Sequence, residues 1–438
     1  MPGAASTCCE KSPSALTAVF LVLFLALLVI GVPIYLALGP TGALMFGVEG
    51  KLLSFAQKLI DELNSQTLLA VPYFVIAATL MERGGVAKAL IGAAEAWVGQ
   101  VRGGLGLVCV FSCTVFAAMC GSSVATAIAM GTILVPAMRE RGYERHFAAG
   151  IVGASGTLGI LIPPSLAFVV FGVLADESIP RLFLAGVIPG LIQASLLAGY
   201  IFWYSHKHNY ARGEPMPARE RLRRTVYAIP AFMVPVIVLG GLYSGIVTLT
   251  ESAALSAVVA IVLSLFVYRG MPLRALLPVL AEAIRNAAAI MLIIAVALAF
   301  GHWITETGIA TRAVELVKEW KVQGWQFLVV VNIVLLILGM FLEVFSVMLL
   351  TLPVIIPMLQ PLGIDPIHFG VVMVINMELA LLTPPVGLNL FVIANISRTP
   401  LAEVVRGTIP FIVLMLGLLL LITYVPVIST WLPHLLMH

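Results

Sequence analysis

Charge is what this sequence has least of. Asp, Glu, Lys and Arg together make up 10% of 438 residues, against 61% hydrophobic residues. A soluble chain of this size needs far more polar surface to face water, which excludes a soluble enzyme or binding domain. The net charge is only +3. The basic residues lie between apolar runs instead of forming one patch, which excludes a nucleic-acid surface and reads as loop charge that sets topology. Cysteine is scarce too, with five residues and no disulfide framework. Cys109 and Cys113 share a helical face with Cys120 beyond, and Cys8 and Cys9 lie in a short polar tail, so no metal spacing arises. His146, His302 and His368 are scattered without metal-ligand spacing in the sequence and are assigned no site.

What fills the chain is hydrocarbon. Apolar runs long enough to cross a ~30 Å core recur at 16–38, 104–137, 147–174, 181–204, 226–247, 251–268, 286–304, 326–342, 344–360, 367–396 and 408–431. Eleven or twelve membrane-embedded elements are expected. The first run, with Gly31, Pro33 and Gly39, is followed by more membrane protein and reads as a retained helix, not a cleaved signal. The stretch 51–66 alternates Lys51, Lys58, Asp61, Glu62 and Asn64 with Leu52, Leu53, Phe55, Leu59 and Ile60. It reads as an amphipathic arm at the interface, with a second arm expected near 273–284.

The prolines repeat at an offset of 221. Pro136 pairs with Pro357, Gly142 with Gly363, Pro163-Pro164 with Pro384-Pro385, Gly186 with Gly407 and Pro189 with Pro410. Such register marks a structural repeat, and in a membrane protein it points to a transporter. The longest polar stretch, 205–225, carries Lys207, Arg212, Arg219, Arg221, Arg223 and Arg224 and is expected to be a cytoplasmic linker. It separates a first repeat at 16–204 from a second at 226–431, with tails at 1–15 and 432–438. The loop holding Arg139, Arg141 and Arg145 should share its side. The counterpart of that loop, 360–368, has Asp365 and no Lys or Arg, which predicts that the two repeats enter the membrane in opposite senses. A parallel duplication is the alternative.

Four polar breaks interrupt the apolar runs. Gly121, Ser122, Ser123 and Thr126 form the first, and Gly156, Thr157, Gly159, Pro163 and Pro164 the second. Glu343 and Ser346 mark the third, and Thr383, Pro384, Pro385, Gly387 and Asn389 the fourth. Glycine, serine caps and proline pairs leave backbone groups without helical partners, which survive in hydrocarbon only against protein or a polar cavity. A tight helix crossing for the first break and a plain proline kink for the second are the competing readings. Glu343 and Glu378 are carboxylates in apolar stretches and candidates for a cation site. Helix capping or a hydrogen bond between Glu378 and Asn376 competes with that role. Glu251, three residues after Thr248, reads as half of a capping box. Converging carbonyls and hydroxyls suit Na⁺, and half-helix N-termini suit an anion. No Arg or Lys lies in the four breaks, so a carboxylate substrate would rest on backbone N–H groups, hydroxyls and bound cations.

At 116–126, 156–165, 362–370 and 383–389 the chain resembles the large, DctM-like membrane subunit of tripartite ATP-independent periplasmic (TRAP) transporters, over about residues 16–430. It departs from the family pattern at Val344 and in the tail bearing Cys8 and Cys9. The resemblance implies an all-α polytopic membrane protein of the bacterial inner membrane, with inverted repeats of broken or re-entrant helices. It also implies an elevator-type transport domain in a scaffold, as in the ion-transporter superfamily. The implied activity is sodium-coupled import of a small organic acid, without an organic cofactor. The implied partners are a small four-helix membrane subunit and a soluble periplasmic substrate-binding protein, both expected as separate chains. The 18 residues named as candidates are 16 from the four breaks plus Asn376 and Glu378, and they map to the family's sodium and substrate region. A stand-alone sodium or proton/carboxylate carrier uses the same residues without a binding protein. An intramembrane serine hydrolase at Ser122 or Ser123 would need a histidine base.

Overall fold

The computed structural model describes residues 22, 23, 26, 27, 30, 32, 34–48, 50–306 and 308–437. Cys8, Cys9 and most of the expected first span lie outside the described residues. The described residues form helices, with a lone antiparallel bridge between Arg102 and Arg212. Seven of these helices are long and apolar enough to cross a membrane. Five further apolar helices among the described residues are shorter than a full span, three of them, Gly104–Cys120, Pro366–Leu381 and Leu388–Ser397, flanking the breaks, so the embedded elements are a mixture of full spans and shorter pieces.

The first half begins with α1 (Ile34–Val48), α2 (Leu52–Leu63), α3 (Ala70–Arg83) and α4 (Val86–Val98). Helix α2 is the expected arm, with Phe55 turned in against Phe46 at 5.4 Å between ring centroids. The punctuated part follows as α5 (Gly104–Cys120), α6 (Ser123–Glu140), α7 (Arg145–Leu161), α8 (Leu166–Ala175) and α9 (Ile179–Lys207).

The second half opens with α10 (Ala218–Tyr243) and α11 (Leu249–Val267). Thr248 and Glu251 cap α11 reciprocally, the Thr248 N–H donating to the carboxylate at 2.8 Å. The second arm is not separate. Residues 273–284 continue into one 34-residue helix, α12 (Leu273–Glu306). The first half is interrupted by Asn64, Ser65 and Gln66, whereas here Ala287, Ala288 and Ala289 favour an unbroken helix. After α13 (Ile309–Glu319) come α14 (Gly324–Phe341), α15 (Val344–Leu359), α16 (Pro366–Leu381), α17 (Leu388–Ser397), α18 (Leu401–Tyr424) and α19 (Val427–Leu436). Helices α5 to α9 thus recur as α14 to α18. Gly142 and Gly363 both take positive φ at equivalent turns, and Glu144 and Asp365 both precede the helix that follows.

The ends of each helix pair reveal its course. Arg102, before α5, bridges to Arg212 of the basic linker. Arg141, after α6, donates to Glu95 Oε1 at 2.7 Å, and Arg224 reaches the other oxygen of the same carboxylate at 3.1 Å. Both ends of the α5–α6 pair therefore lie on one face, here called the arginine face, and Gly121-Ser122 is a hairpin tip. Helices α14 and α15 form a second hairpin, because Gly324 opens α14 so close to Leu362 that a Cβ would stand 3.0 Å from its carbonyl oxygen. Its tip is Leu342-Glu343.

Helices α7 and α8 make one broken span, bent by 40°, that starts at Arg145 on the arginine face. Glu177, at its far end, has its carboxyl pushed up by burial and by the charge of Asp365 beside it. Asp365 follows the second hairpin, so the hairpins enter from opposite faces. In the other direction α16 and α17 run from Asp365 back to Arg398, which lines a cleft with Arg139 and Glu140 on the arginine face. The repeats are inverted, as the opposite charge of their loops predicts.

Small residues set the seam between the halves. Gly150 on α7 meets Gly407 on α18 backbone to backbone, and a side chain at Gly407 would drive into the His146 carbonyl. Such close approach is how helices gain packing where lipid supplies no hydrophobic drive. Cys109, Cys113 and Cys120 are buried, with 3.9 Å between the Cys109 and Cys113 sulfurs.

Candidate functional site

Three contacts gather the four breaks. Gly121 caps α5 with φ of 59°, its N–H donating to Ala117 O at 3.1 Å. A Cβ on Gly121 would stand 2.9 Å from Pro164 O and 3.1 Å from Leu166 N, so the first hairpin tip lies on the first proline bend. Gly387, with φ of 53°, donates its N–H to Met340 O at 3.1 Å and joins the second bend to the second hairpin. Asn389 Nδ2 donates to Ser123 Oγ at 2.6 Å and ties the second bend to the first tip across the repeats. Both positive φ values are ones that glycine adopts without steric cost.

Between these breaks is a cavity of about 470 Å³, within the usual range for a small-molecule site. Gly121, Ser122 and Ser123 line it from the first tip and Glu343 from the second. Ser122 and Glu343 occupy equivalent N-cap positions. Ser122 Oγ accepts from Ala125 N at 3.4 Å, whereas Glu343 makes no capping bond and its side chain is exposed to the cavity. Helix α15 starts directly at Val344, so the valine does not close the break.

The other named residues surround or leave this cavity. Thr126 Oγ1 donates to Ser122 O at 2.7 Å. Gly159 lets α7 approach that turn, since a Cβ would stand 2.8 Å from Thr126 Oγ1, and Gly156 does the same against Ala127 at 2.9 Å. Ser346 is buried in the first turn of α15. Both proline pairs are cis, Pro163-Pro164 buried and Pro384-Pro385 exposed. Thr383 Oγ1 donates to Leu379 O at 2.7 Å.

Of the 18 named residues only Gly121, Ser122, Ser123 and Glu343 line the cavity, and Thr157, Asn376 and Glu378 are among those that do not. Thr157 Oγ1 accepts from Gln193 Nε2 at 3.1 Å. Asn376 does not bond Glu378; its Nδ2 donates to Asn332 O at 2.9 Å and Oδ1 at 3.0 Å. Glu378 is fully enclosed, with Gln193 beside it and no hydrogen-bond partner for either oxygen among the described residues.

Five polar residues that the four breaks do not contain reach the cavity: Thr79, Glu82 and Arg83 from α3, and Glu282 and Asn286 from α12. Arg83 Nη2 donates to Glu282 Oε1 at 2.8 Å. The available signal was the spacing of Glu282 and Asn286, four apart on one face of a mainly apolar helix. A second cavity of about 1170 Å³ shares Glu82, Arg83 and Ile128 with the first and continues past Lys88, Glu220, Arg224 and Arg269. The site is therefore open toward the arginine face.

The chemistry favours hard ions and polar solutes. Serine and threonine hydroxyls, a carboxylate and the buried, unpartnered Oδ1 of Asn389 are all oxygen donors. Among the described residues no group of three or more His, Cys, Asp or Glu side chains is placed to hold a metal ion. Ser123 is held by Asn389, not by an imidazole, which leaves it without the base that a hydrolytic serine needs. Asn389→Ala removes the link between tip and bend. It is expected to cost about 1 kcal/mol and to slow uptake about fivefold in proteoliposomes while the protein still elutes as a single species.

The chain is similar to characterised transport proteins over most of its length. Residues 21–428 match the model of the family described as "Tripartite ATP-independent periplasmic transporter, DctM component". The C4-dicarboxylate TRAP transporter large permease protein DctM of Pseudomonas aeruginosa is 43% identical over 91% of this chain and 94% of its own. The isethionate TRAP transporter permease protein DctMQ of Oleidesulfovibrio alaskensis is 37% identical over 92% of this chain and 64% of its own. In fold, the chain resembles the YdaH transporter of Alcanivorax borkumensis, with a TM-score of 0.61 at 12% identity over 93% of this chain and 97% of that one. The molecule is accordingly a transporter and not an enzyme, and a multi-pass protein of the bacterial inner membrane. The chain belongs to the DctM component family of tripartite ATP-independent periplasmic transporters.

Proposed function

We propose that this chain carries a small carboxylate inward, driven by sodium, after a soluble periplasmic binding protein delivers it and with a small four-helix membrane subunit alongside. The observation that carries this reading is the gathering of four polar breaks from two inverted halves, with the two hairpin tips in the wall of one cavity and the two bends packed against those tips. Family membership supports the dependence on a binding protein, and the relatives named for C4-dicarboxylates support an acidic substrate.

Sodium would be held by the oxygens at the two hairpin tips and the two bends, where Ser122, Ser123, Glu343, Thr383 and Asn389 stand. The arginine face would be cytoplasmic, following the positive-inside rule, so the cavity described here is the state that releases substrate. Transport would proceed as an elevator, with hairpins and broken spans moving against a frame of α3 and the two helices packed on it, α11 and α12. The deciding experiment is uptake of labelled carboxylates into proteoliposomes containing this chain and its small membrane subunit. Uptake should require both an inward Na⁺ gradient and the binding protein. Accumulation without the binding protein would make the chain a stand-alone carrier, and accumulation without Na⁺ would remove sodium from the mechanism.

A further inference from the structure

The four breaks contain no Lys or Arg, yet the cavity they form has a guanidinium in its wall. Arg83 closes helix α3, and its side chain is 50% exposed to the space shared by the two cavities. Its present partner, Glu282, is 33% exposed. A pair so open to water holds weakly and separates easily. The backbone behind Arg83, by contrast, is rigid. Gly84 is pressed against Ser264, whose hydroxyl donates to Leu80 O at 2.9 Å, and Gly270 is pressed against the Gly84 carbonyl. The arginine thus stands on a closely packed shelf, with a partly exposed carboxylate for a partner.

We propose that Arg83 is the residue that binds the substrate carboxylate in the state open to the arginine face, and that Glu282 is the carboxylate that occupies its place when substrate is absent. This rests on the carboxylate-transport reading above. A guanidinium matches a carboxylate with two parallel N–H donors, a geometry that neutral hydroxyls and backbone amides do not reproduce. Because α3 packs on α11 and α12, Arg83 belongs to the frame and not to the hairpins. The substrate meets this positive charge at one end of its passage only. Beyond Arg83 the larger cavity presents Lys88, Arg223, Arg224 and Arg269 against Glu82 and Glu220, so the way out keeps an excess of positive charge. Arg223 and Arg224 are both bonded to Glu220, while Lys88 and Arg269 have no carboxylate within ion-pair distance among the described residues.

The test is dicarboxylate exchange in oriented proteoliposomes holding the complete transporter, with labelled succinate varied on the arginine-face side. Arg83→Gln is expected to raise the KM on that side about tenfold, the loss of one charge-assisted contact. Glu282→Gln, which frees the guanidinium, is expected to lower it about threefold. The exchanged pair Arg83→Glu with Glu282→Arg restores an ion pair of the same composition, and is expected to bind succinate as poorly as Arg83→Gln. If instead Arg83→Gln and Glu282→Gln weaken exchange alike and the exchanged pair recovers it, Arg83 is a structural partner and the assignment fails. An unchanged KM in a folded Arg83→Gln protein overturns it equally. Absence of dicarboxylate exchange in the wild-type transporter would instead overturn the transport reading itself.

Discussion

Gly407→Leu is expected to leave almost no folded protein in the membrane. The glycine sits where α18 crosses α7, and even a single methyl group would overlap the His146 carbonyl, which is backbone and has no rotamer to yield. Gly150 faces the same crossing from α7, so neither helix has slack to give. Overfilling a packed interior costs about 1–3 kcal/mol, and a clash with backbone belongs at the upper end. This seam joins the two repeats, and separating the helices would open the fold along its middle. Size-exclusion profiles of a fluorescent fusion provide the measurement. The monodisperse peak should disappear for Gly407→Leu and survive for Gly417→Leu, whose Cβ direction is open. A normal peak for Gly407→Leu would mean that the crossing is looser than described.

Glu343→Gln should leave the fold intact and remove most sodium-driven transport. The carboxylate caps α15 without bonding to it and faces the cavity, so the packed core does not depend on its charge. Its structural counterpart on the other hairpin is Ser122, a neutral hydroxyl, which makes Glu343 the only charge carried by either tip. Replacing a carboxylate that binds the ion by an isosteric amide forfeits about 1.5–3 kcal/mol of a charge-assisted contact. The Na⁺ concentration needed for half-maximal uptake should therefore rise about 10- to 100-fold. Titrating uptake against Na⁺ at fixed binding protein measures this directly. An unchanged sodium requirement would show that the carboxylate serves the helix and not the ion.

The parts of this architecture readable from sequence were those written in backbone chemistry. Proline pairs cannot continue a helix, glycines tolerate positive φ, and an offset of 221 preserved both, so the bends and the repeat were visible before any coordinates. The capping role of Glu251 followed from its spacing to Thr248 in the same way. What stayed hidden depended on contacts distant along the chain. Gly121-Ser122 as a hairpin tip and Pro163-Pro164 as a bend in a broken span differ only in where their flanking helices end, and that is settled by Arg102 meeting Arg212 and Arg141 meeting Glu95. Asn376 had a polar neighbour two residues away but turns to Asn332 on another helix. Arg83 and Glu282 lie 199 residues apart, and no local pattern joins them. Thr157 and Glu378 occupy equivalent positions on α7 and α16, yet both lie beside Gln193, a residue 36 positions from Thr157 that no local pattern connects to either.

The two proline bends are alike in sequence and conformation but not in surroundings, one enclosed beneath a hairpin tip and the other laid open. In a molecule whose halves are related by inversion, letting each half take the other's backbone arrangement would turn the whole inside out while keeping the order of its helices. The opposite-facing form would then enclose Pro384-Pro385, uncover Pro163-Pro164 and differ little in energy from the one seen here. Such a near-balanced device would have no preferred direction of its own. An ion that binds one form only a few kcal/mol more tightly is enough to reverse the populations, so the direction of cargo movement would be set by the gradients on either side and not by the protein.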